Sequence, residues 1–447
     1  MDVDSYLLKS KTAKNIYKTT KDLPLIDLYS KIPLADIINN KKYTDIWDLL
    51  ASSEHHIWQL MRRVGISEDY ITGNRTNREK WEKLSSIFPQ FIGNPTYQLV
   101  YLSLRRILDI NDSIDEGNSG IIWEKSIEKL SRLDFQTNEI LKNSKVCILS
   151  PLCDPTDDLS LLINIDRPFK ILPILNVDKL LDINSPKFID YINKLDHKYL
   201  TNSTHFSGFK NTVETMLEYF IKNGCKTAII DIFKPSFKYV DDLKAAYIYS
   251  KVTRQEPITS IDIKEFQSYM TYFLFELFKN KNITAQLHLG TFKNYRTSLK
   301  TINLNIGANV VSNFIDVAAG LKELLNQFDS QLDLVIYISD VTLLSTVLTI
   351  ARAFPRIYLG SPISLNYSFT SIYNYLNTIA SLDLLINFAG YASDSTNVLS
   401  LISKNEIFRR TVSQLIADYI DRGEINKADG IALASAICYN NAIRFIK

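Results

Sequence analysis

The sequence has little cysteine and little histidine, which limits the kinds of site it can build. Only 4 Cys and 5 His occur among 447 residues. The cysteines, Cys147, Cys153, Cys225 and Cys438, are scattered without metal-ligand spacing, and no His-x-His or His-x-x-x-His pair occurs. We therefore expect buried thiols in a reducing compartment, a cytoplasmic location and no histidine-rich metal centre.

Long apolar runs and an excess of charge of one sign are also missing. No stretch approaches the roughly 18 apolar residues that a membrane-spanning helix needs, and the N-terminus lacks the apolar segment of a signal peptide. Lys and Arg number 51 against 49 Asp and Glu, which gives a net charge of +2 with no basic block. The charge pattern therefore gives no support to a nucleic-acid partner or to a membrane partner.

What the sequence does contain is a series of short, apolar, β-rich segments. The first lies within Leu23–Pro33, and seven more follow residue 143: Val146–Leu149, Phe169–Leu175, Thr227–Ile232, Ile283–Leu289, Leu334–Ile338, Ile357–Leu359 and Leu384–Phe388. Each ends in a polar or Gly/Pro turn, as parallel strands buried on both faces do. Eight such strands with helices between them predict an α/β fold, a (β/α)8 TIM barrel. A doubly wound open sheet is the alternative, although no Gly-rich phosphate fingerprint follows the first strand.

Residues 34–142 interrupt this alternation, because they show helical spacing and no convincing strand. We predict three regions. Residues 1–33 hold an N-terminal helix and the first barrel strand, 34–142 form a helical insertion, and 143–447 complete the barrel and end in helices. Active sites of such barrels lie at the C-terminal ends of the strands, so polar residues there are the candidates for function.

Four of the polar residues that follow or end predicted strands are the first candidates. Tyr29 and Lys31 come after the first strand, His288 ends the fifth, and Asp394 comes after the last. His288 is a candidate catalytic residue or ligand, and Asp394 is a candidate general base or metal ligand. The structural alternative for Asp394 is a hydrogen bond in its Ser-rich turn or a helix cap.

Three further polar residues have structural alternatives of equal weight. His55 and His56 lie on a predicted helix, where neighbours point about 100° apart, so at most one of them faces a given pocket. Asp154 ends the second strand and is predicted to cap the helix that follows. No Ser–His–Asp order stands out in the sequence.

A collinear series of motifs runs along nearly the whole chain. The insertion has His55–Arg62, Thr72–Gly73, Arg78–Lys80, Ile92–Tyr97 and Leu104–Arg106. The later part has Asp154–Pro155, Leu172–Pro173, Gly224–Lys226, His288–Gly290, Gly360–Ser361, Phe408–Arg410 and Cys438–Ala442. By these motifs the chain resembles the uronate (glucuronate) isomerase family, barrel enzymes related to the amidohydrolases.

The resemblance implies aldose–ketose isomerisation of hexuronates and a metal ion, often zinc. The metal would be held by a His-x-His after the first strand and an Asp after the last. Here Tyr29 and Lys31 occupy the histidine positions, whereas Asp394 matches the aspartate. Because a lone carboxylate holds a divalent ion poorly, we expect no bound metal and no other cofactor. We predict instead that Lys31 replaces the charge of the metal and pairs with Asp394; the alternative is two solvated, unrelated side chains.

Other positions that the resemblance places in the same pocket also differ. Asn176 and Thr396 stand where the family has arginines, Ile229 and Ile230 where it has an Asp-His pair, and Ile363 and Ser364 where it has tandem tryptophans. Lost arginines remove bidentate clamps for a substrate carboxylate. The remaining candidates are Asp394, His288 and Lys31 as catalytic residues, and His55, Lys293, Asn366 and Tyr29 as substrate-binding residues.

Two functions stay open at this point. The favoured one is a diverged, uronate-isomerase-like protein, a candidate pseudoenzyme in which metal-dependent isomerisation is impaired or lost. The other is an active isomerase that converts D-glucuronate to D-fructuronate and D-galacturonate to D-tagaturonate, with Lys31, His288 or Asp394 moving the proton without metal. In both cases the expected ligand is a small hexuronate-like sugar acid, and assembly into a homo-oligomer is open.

Overall fold

The computed structural model describes residues 5–162, 167–232, 235–292, 296, 310–311, 316–364 and 366–446. In this part of the chain the strands, in order, are β1 (Leu25–Ser30), β2 (Val146–Cys153), β3 (Lys170–Ile171), β4 (Ile174–Asn176), β5 (Thr227–Ile232), β6 (Thr284–Leu289), β7 (Thr291–Phe292), β8 (Val310–Val311), β9 (Leu334–Ile338) and β10 (Ile357–Leu359).

Eight of these strands form one parallel sheet in the order β1-β2-β4-β5-β6-β9-β10, and β3 pairs with β2. Every residue of β1, β6 and β9 is buried. Burial of consecutive positions is expected where one face of a strand lines the barrel interior and the other packs under helices. β7 and β8 pair antiparallel in a separate small sheet beyond β6.

The sheet is closed by an extended segment between β10 and β1. Ala389 N donates to Leu359 O at 2.9 Å, while Leu28 N donates to Tyr391 O at 3.0 Å and Asp394 N to Tyr29 O at 3.0 Å. These hydrogen bonds join the last unit to the first. The predicted (β/α)8 barrel is therefore confirmed.

The last predicted strand, Leu384–Phe388, is wrong as a strand. Leu385–Asn387 forms a 3-10 helix, and only Phe388 makes a parallel bridge to Leu359. A short apolar run fits a buried strand and a buried turn equally well, and here it forms a turn shortly after the helix that ends at Ala380. The pairing that closes the barrel lies a few residues later in the chain.

The helices of the described residues surround this barrel. They are α1 (Lys11–Thr20), α2 (Leu34–Ile38), α3 (Ile46–Leu50), α4 (His55–Arg63), α5 (Asn77–Ile87), α6 (Pro95–Ile107), α7 (Ser119–Leu130), α8 (Thr137–Asn143), α9 (Asp178–Leu181), α10 (Phe188–Tyr199), α11 (Phe206–Lys222), α12 (Asp242–Thr253), α13 (Ser260–Asn280), α14 (Val317–Gln327), α15 (Leu344–Ala353), α16 (Phe369–Ala380), α17 (Val398–Asp421) and α18 (Lys427–Cys438). None of these described helices is long and apolar enough to cross a membrane.

Between β1 and β2 the chain forms α2 to α8 and short 3-10 turns, so the helical character predicted for residues 34–142 is confirmed. Whether this stretch is a domain of its own stays a prediction. Helix α17, which is buried along most of its length, ties the start of β1 to the rest of the fold. Its Arg409 donates hydrogen bonds to Lys21 O (2.9 Å) and Pro24 O (3.0 Å), just before β1 begins.

Candidate functional site

The barrel mouth holds an ion pair between the first and last units. Lys31 Nζ lies 2.6 Å from Asp394 Oδ1. The Asp394 side chain is 8% exposed, whereas that of Lys31 is 37% exposed. The predicted pairing of Lys31 with Asp394 is present, and the alternative of two solvated, unrelated side chains is wrong.

The two charges stabilise one another against burial. Burial by itself would raise the pKa of Asp394, but the ammonium groups of Lys31 and then Lys404 lower that pKa to about 2. Burial by itself would lower the pKa of Lys31, yet the Asp394 carboxylate shifts it upward overall. Both groups are therefore charged at neutral pH, and together they carry no net charge.

The ring of Tyr29 lies beside this pair; Tyr29 belongs to β1 (Leu25–Ser30), so the prediction that it follows the first strand is wrong, whereas Lys31 does follow it. The Tyr29 side chain is buried, and its ring lies 5.7 Å from the ring of Tyr337, centroid to centroid. The Lys31 ammonium lies 5.6 Å from the centroid of the Tyr29 ring. Burial raises the pKa of the Tyr29 hydroxyl, so this group is neutral at physiological pH.

Two residues with a strained backbone hold the Asp394 carboxylate in place. Asp394 has φ 48° and Ser364 has φ 59°, both in the left-handed region that non-glycine residues rarely adopt. Ser364 N donates to Asp394 Oδ2 at 3.0 Å, so the two strained residues are joined directly. Strain of about 1 to 3 kcal/mol per residue persists where the surrounding structure holds the backbone, and such residues cluster at functional sites.

His288 lies across the mouth, between two residues that the sequence analysis did not single out. Its Nδ1 is 3.3 Å from Asp231 Oδ2, and its Nε2 is 2.6 Å from Ser339 Oγ. The three residues come from the ends of the adjacent strands β5, β6 and β9, in which Asp231 pairs with His288 in register. Both His288 and Ser339 are 4% exposed.

Ser339 is the centre of a hydroxyl network that leads to the ion pair. Thr291 Oγ1 donates to Ser339 Oγ at 3.1 Å, and Ser364 Oγ lies 3.1 Å from the same atom. Asn366 Nδ2 donates to Ser339 O at 2.9 Å. A continuous set of polar contacts therefore runs from Asp231 through His288, Ser339 and Ser364 to Asp394 and Lys31. The fold thus brings Asn366 into the same site as the predicted catalytic residues.

The other predicted residues differ in their placement. His55, at the start of α4, packs against Trp58 with ring centroids 4.8 Å apart. Burial lowers the pKa of His55, with smaller effects from Glu54 and then from the charges of Lys31 and Asp394. Lys293 lies outside the described residues. Asp154 does not cap a helix, because it accepts from Thr156 N at 2.9 Å within its own turn.

A second buried carboxylate lies next to the turn that carries Asp394. Asp27, in the middle of β1, is 0% exposed and accepts hydrogen bonds from Ser393 N at 2.8 Å and from Ser393 Oγ at 2.6 Å. Burial raises the pKa of Asp27 to about 7, although the Ser393 hydrogen bonds act against that rise. The sequence analysis did not select Asp27, although a carboxylate in an otherwise apolar strand is a signal in itself.

The residues at this mouth do not fit a divalent metal ion. Among the described residues, no three His, Cys, Asp or Glu side chains are arranged to hold one. The carboxylate that would be a ligand is already paired with an ammonium group 2.6 Å away, and that group would repel a cation. Tyr29, at the other expected ligand position, is a neutral phenol packed against Tyr337.

Comparison with known proteins gives consistent results for family and fold. The sequence model of one family, described as glucuronate isomerase, matches residues 1–446. A uronate isomerase of Thermotoga petrophila is 35% identical over 441 residues, which cover 98% of this chain and 97% of that protein. The crystal structure of the Thermotoga maritima uronate isomerase superposes with a TM-score of 0.97 at 33% identity and covers 100% of both chains. That of the Caulobacter crescentus glucuronate isomerase, at 16% identity and a TM-score of 0.94, shows the shared fold.

Proposed function

The chain belongs to the glucuronate isomerase family, and from that premise we propose that it is a diverged member in which metal-dependent isomerisation of hexuronates is impaired or lost. The ion pair between Lys31 and Asp394 carries this proposal. A cation fixed 2.6 Å from the one remaining ligand carboxylate competes with a metal ion for the same negative charge. Of the three expected metal ligands, the two histidines are replaced by the phenol of Tyr29 and the ammonium group of Lys31.

Two residues at the expected arginine positions support the same proposal. The side chain of Asn176 accepts a hydrogen bond from Asp178 N at 3.0 Å, so it serves local structure at the end of β4. The Thr396 hydroxyl donates to Ser53 O at 2.5 Å, and the Ser53 hydroxyl donates to Thr396 O at 3.2 Å. Neither offers the two parallel N–H donors with which an arginine holds a carboxylate.

The apolar replacements point in the same direction. Ile229 is 3% exposed and Ile363 is 2% exposed, and both belong to the apolar cluster that fills the barrel. Side chains of this kind neither bind a metal nor donate hydrogen bonds to a sugar acid. In the mouth that remains, the charges of Lys31 and Asp394 are paired with each other and hydroxyl groups are abundant, which favours retention of the fold for binding over the family reaction.

A metal-free isomerase is the second candidate, and one observation favours it. Lys31, Asp394 and His288 belong to one connected polar network, so an acid and a base lie on opposite sides of the mouth. A hexuronate bound between them could exchange a proton between C1 and C2 through an enediol. We further propose a small hexuronate-like sugar acid as the ligand and, from the four free thiols, a reducing cytoplasmic location.

The deciding experiment measures turnover of D-glucuronate and D-galacturonate with and without added zinc or manganese. The proposal predicts no turnover above the heat-treated control and no stimulation by either metal. Turnover that requires metal would contradict it. Turnover that is independent of metal and is lost in Asp394→Asn would replace it with the metal-free isomerase.

A paired variant sharpens this test. Tyr29→His together with Lys31→His restores the expected His-x-His spacing while Asp394 is kept. We expect this double variant to bind zinc, since it offers two imidazoles and a carboxylate. The matched control is Tyr29→Phe with Lys31→Met, which removes the ion pair without adding a ligand and should bind no zinc.

A further inference from the structure

We propose that Asp231, His288 and Ser339 form a nucleophilic triad that gives the barrel mouth acyl-transfer activity toward small, uncharged esters or lactones. This activity goes beyond isomerisation and does not depend on it. Ser339 would be the nucleophile and His288 its general base, while Asp231 would be a positioning residue for the imidazole.

The distances match the roles. His288 Nε2 lies 2.6 Å from Ser339 Oγ, within hydrogen-bond reach of the proton that a general base must take. On the other side of the ring, His288 Nδ1 lies 3.3 Å from Asp231 Oδ2. A carboxylate in that place favours the tautomer with the proton on Nδ1, which leaves Nε2 free to accept the serine proton.

The places of Asp231, His288 and Ser339 in the fold support a catalytic role for this cluster over a purely structural one. The three side chains come from the C-terminal ends of three neighbouring parallel strands, the end at which barrels carry their active sites. Asp231 and His288 are register partners in β5 and β6, and Ser339 follows β9 directly. Rigid strands therefore fix the mutual geometry of the three groups better than loops would.

Donors for a developing oxyanion lie next to the nucleophile. The Thr291 and Ser364 hydroxyls are each 3.1 Å from Ser339 Oγ. When a carbonyl carbon bonds to Ser339 Oγ, its oxygen comes within reach of such neighbouring hydroxyl donors. Ser364 is one of the two strained residues at the mouth, with φ 59°.

The charge balance of the mouth selects the substrate class. Lys31 and Asp394 neutralise one another at 2.6 Å, so neither is a free clamp for a substrate carboxylate or for a cation. Beside the triad itself, the mouth presents the Thr291 and Ser364 hydroxyl groups and the ring of Tyr29. Such a surface suits an uncharged acyl compound, an ester or a lactone, better than it suits a free acid.

The chemical step is balanced with the ester or lactone and water as its only reactants. Ser339 Oγ bonds to the acyl carbon and its proton passes to His288 Nε2. The bond between the acyl carbon and the alcohol oxygen breaks, and His288 returns the proton to that oxygen. Water then attacks the acyl-serine with His288 again as base, which releases the acid and regenerates the hydroxyl.

The test uses the folded protein with diisopropyl fluorophosphate, a small probe suited to a serine that is only 4% exposed. We expect one phosphoryl adduct per chain in the intact mass, on the peptide that contains Ser339, together with hydrolysis of p-nitrophenyl acetate. Ser339→Ala should abolish both. His288→Asn should slow labelling about 100-fold or more. The control Ser381→Ala, at an exposed serine after α16, should label like the parent protein.

The variant Asp231→Asn tests whether Asp231 positions the His288 imidazole for catalysis or only stabilises the fold. It should lower kcat for p-nitrophenyl acetate about 100-fold with little change in KM, and Asp231→Glu should recover part of the loss. No adduct on Ser339 of the folded parent protein would overturn the proposal. So would labelling that His288→Asn leaves unchanged while the thermal midpoint stays at the parent value.

Discussion

Removal of the Lys31 charge tests the electrostatic account of the barrel mouth. In Lys31→Met the Asp394 carboxylate, 8% exposed, loses its partner at 2.6 Å. In the parent protein the pKa of Asp394 is lowered from 3.8 to about 2. That shift corresponds to about 2 kcal/mol of folding free energy at neutral pH, and since Lys31 is 37% exposed we discount it to about 1 to 2 kcal/mol.

The pH dependence of this effect has a definite sign. A carboxyl group with a lowered pKa in the folded state adds stability above its unfolded pKa and loses it as the pH falls through the folded value. The parent protein should therefore hold this contribution at pH 7 and lose it between about pH 4 and pH 2. The deficit of Lys31→Met should be largest at pH 7 and should shrink over the same range.

Urea unfolding followed by circular dichroism at 222 nm measures the deficit at each pH. The double variant with Asp394→Asn should be less destabilised than the sum of the single variants, because neither charge is then left unpaired. Lys281→Met is the matched control, since Lys281 pairs with Glu218 on the surface, and it should change the midpoint little. A Lys31→Met deficit that is equal at pH 7 and pH 2.5, or strict additivity in the double variant, would refute the reasoning.

Two further predictions concern the same barrel, and the second has a control in the helical stretch between β1 and β2. The pKa of Asp27 in the folded protein is raised to about 7, so the contribution of Asp27 to the free energy of unfolding falls as the pH rises from about 4 to 7. In Asp27→Asn this fall, up to about 3 to 4 kcal/mol, should be absent from the pH profile of urea unfolding. Gly360→Ala would place a Cβ 2.2 Å from the Tyr337 ring, so we expect a loss of about 1 to 3 kcal/mol in thermal or urea unfolding. Gly120→Ala, in α7 with nothing within 4 Å, is its control and should stabilise by about 0.5 kcal/mol.

The strands could be predicted from the sequence where burial on both faces leaves a continuous apolar run. Thr227–Ile232 and Leu334–Ile338 match the observed strands residue for residue. Leu384–Phe388 is an apolar run of the same kind, yet Leu385–Asn387 forms a 3-10 helix. The pattern of apolar residues over five positions does not distinguish a strand from such a turn. The barrel is closed by separate hydrogen bonds of residues 389–394 to β10 and β1, and Asp394 in this segment has a strained backbone. No local sequence pattern predicts these hydrogen bonds.

The site was predictable where it depends on position in the chain. The pairing of Lys31 with Asp394 was predicted because the family resemblance places both residues at the expected metal position, and the two groups lie 2.6 Å apart. Asp231 and Ser339 lie at the ends of correctly predicted strands, so the same positional rule includes them, but their contact with His288 depends on sheet register and was not predictable. Alignment by motif had drawn attention to Ile229 and Ile230, which lie just before Asp231 and are buried.

The metal content of the purified protein tests the central claim most directly. The chain should be expressed in medium containing zinc, purified without chelator and analysed by mass spectrometry of its metals. The Lys31 ammonium group takes the place of the positive charge that a metal ion would bring to Asp394. The account therefore predicts far less than one zinc per chain and no rise in thermal midpoint on addition of zinc. One tightly held zinc per chain, lost in Asp394→Asn, would contradict it.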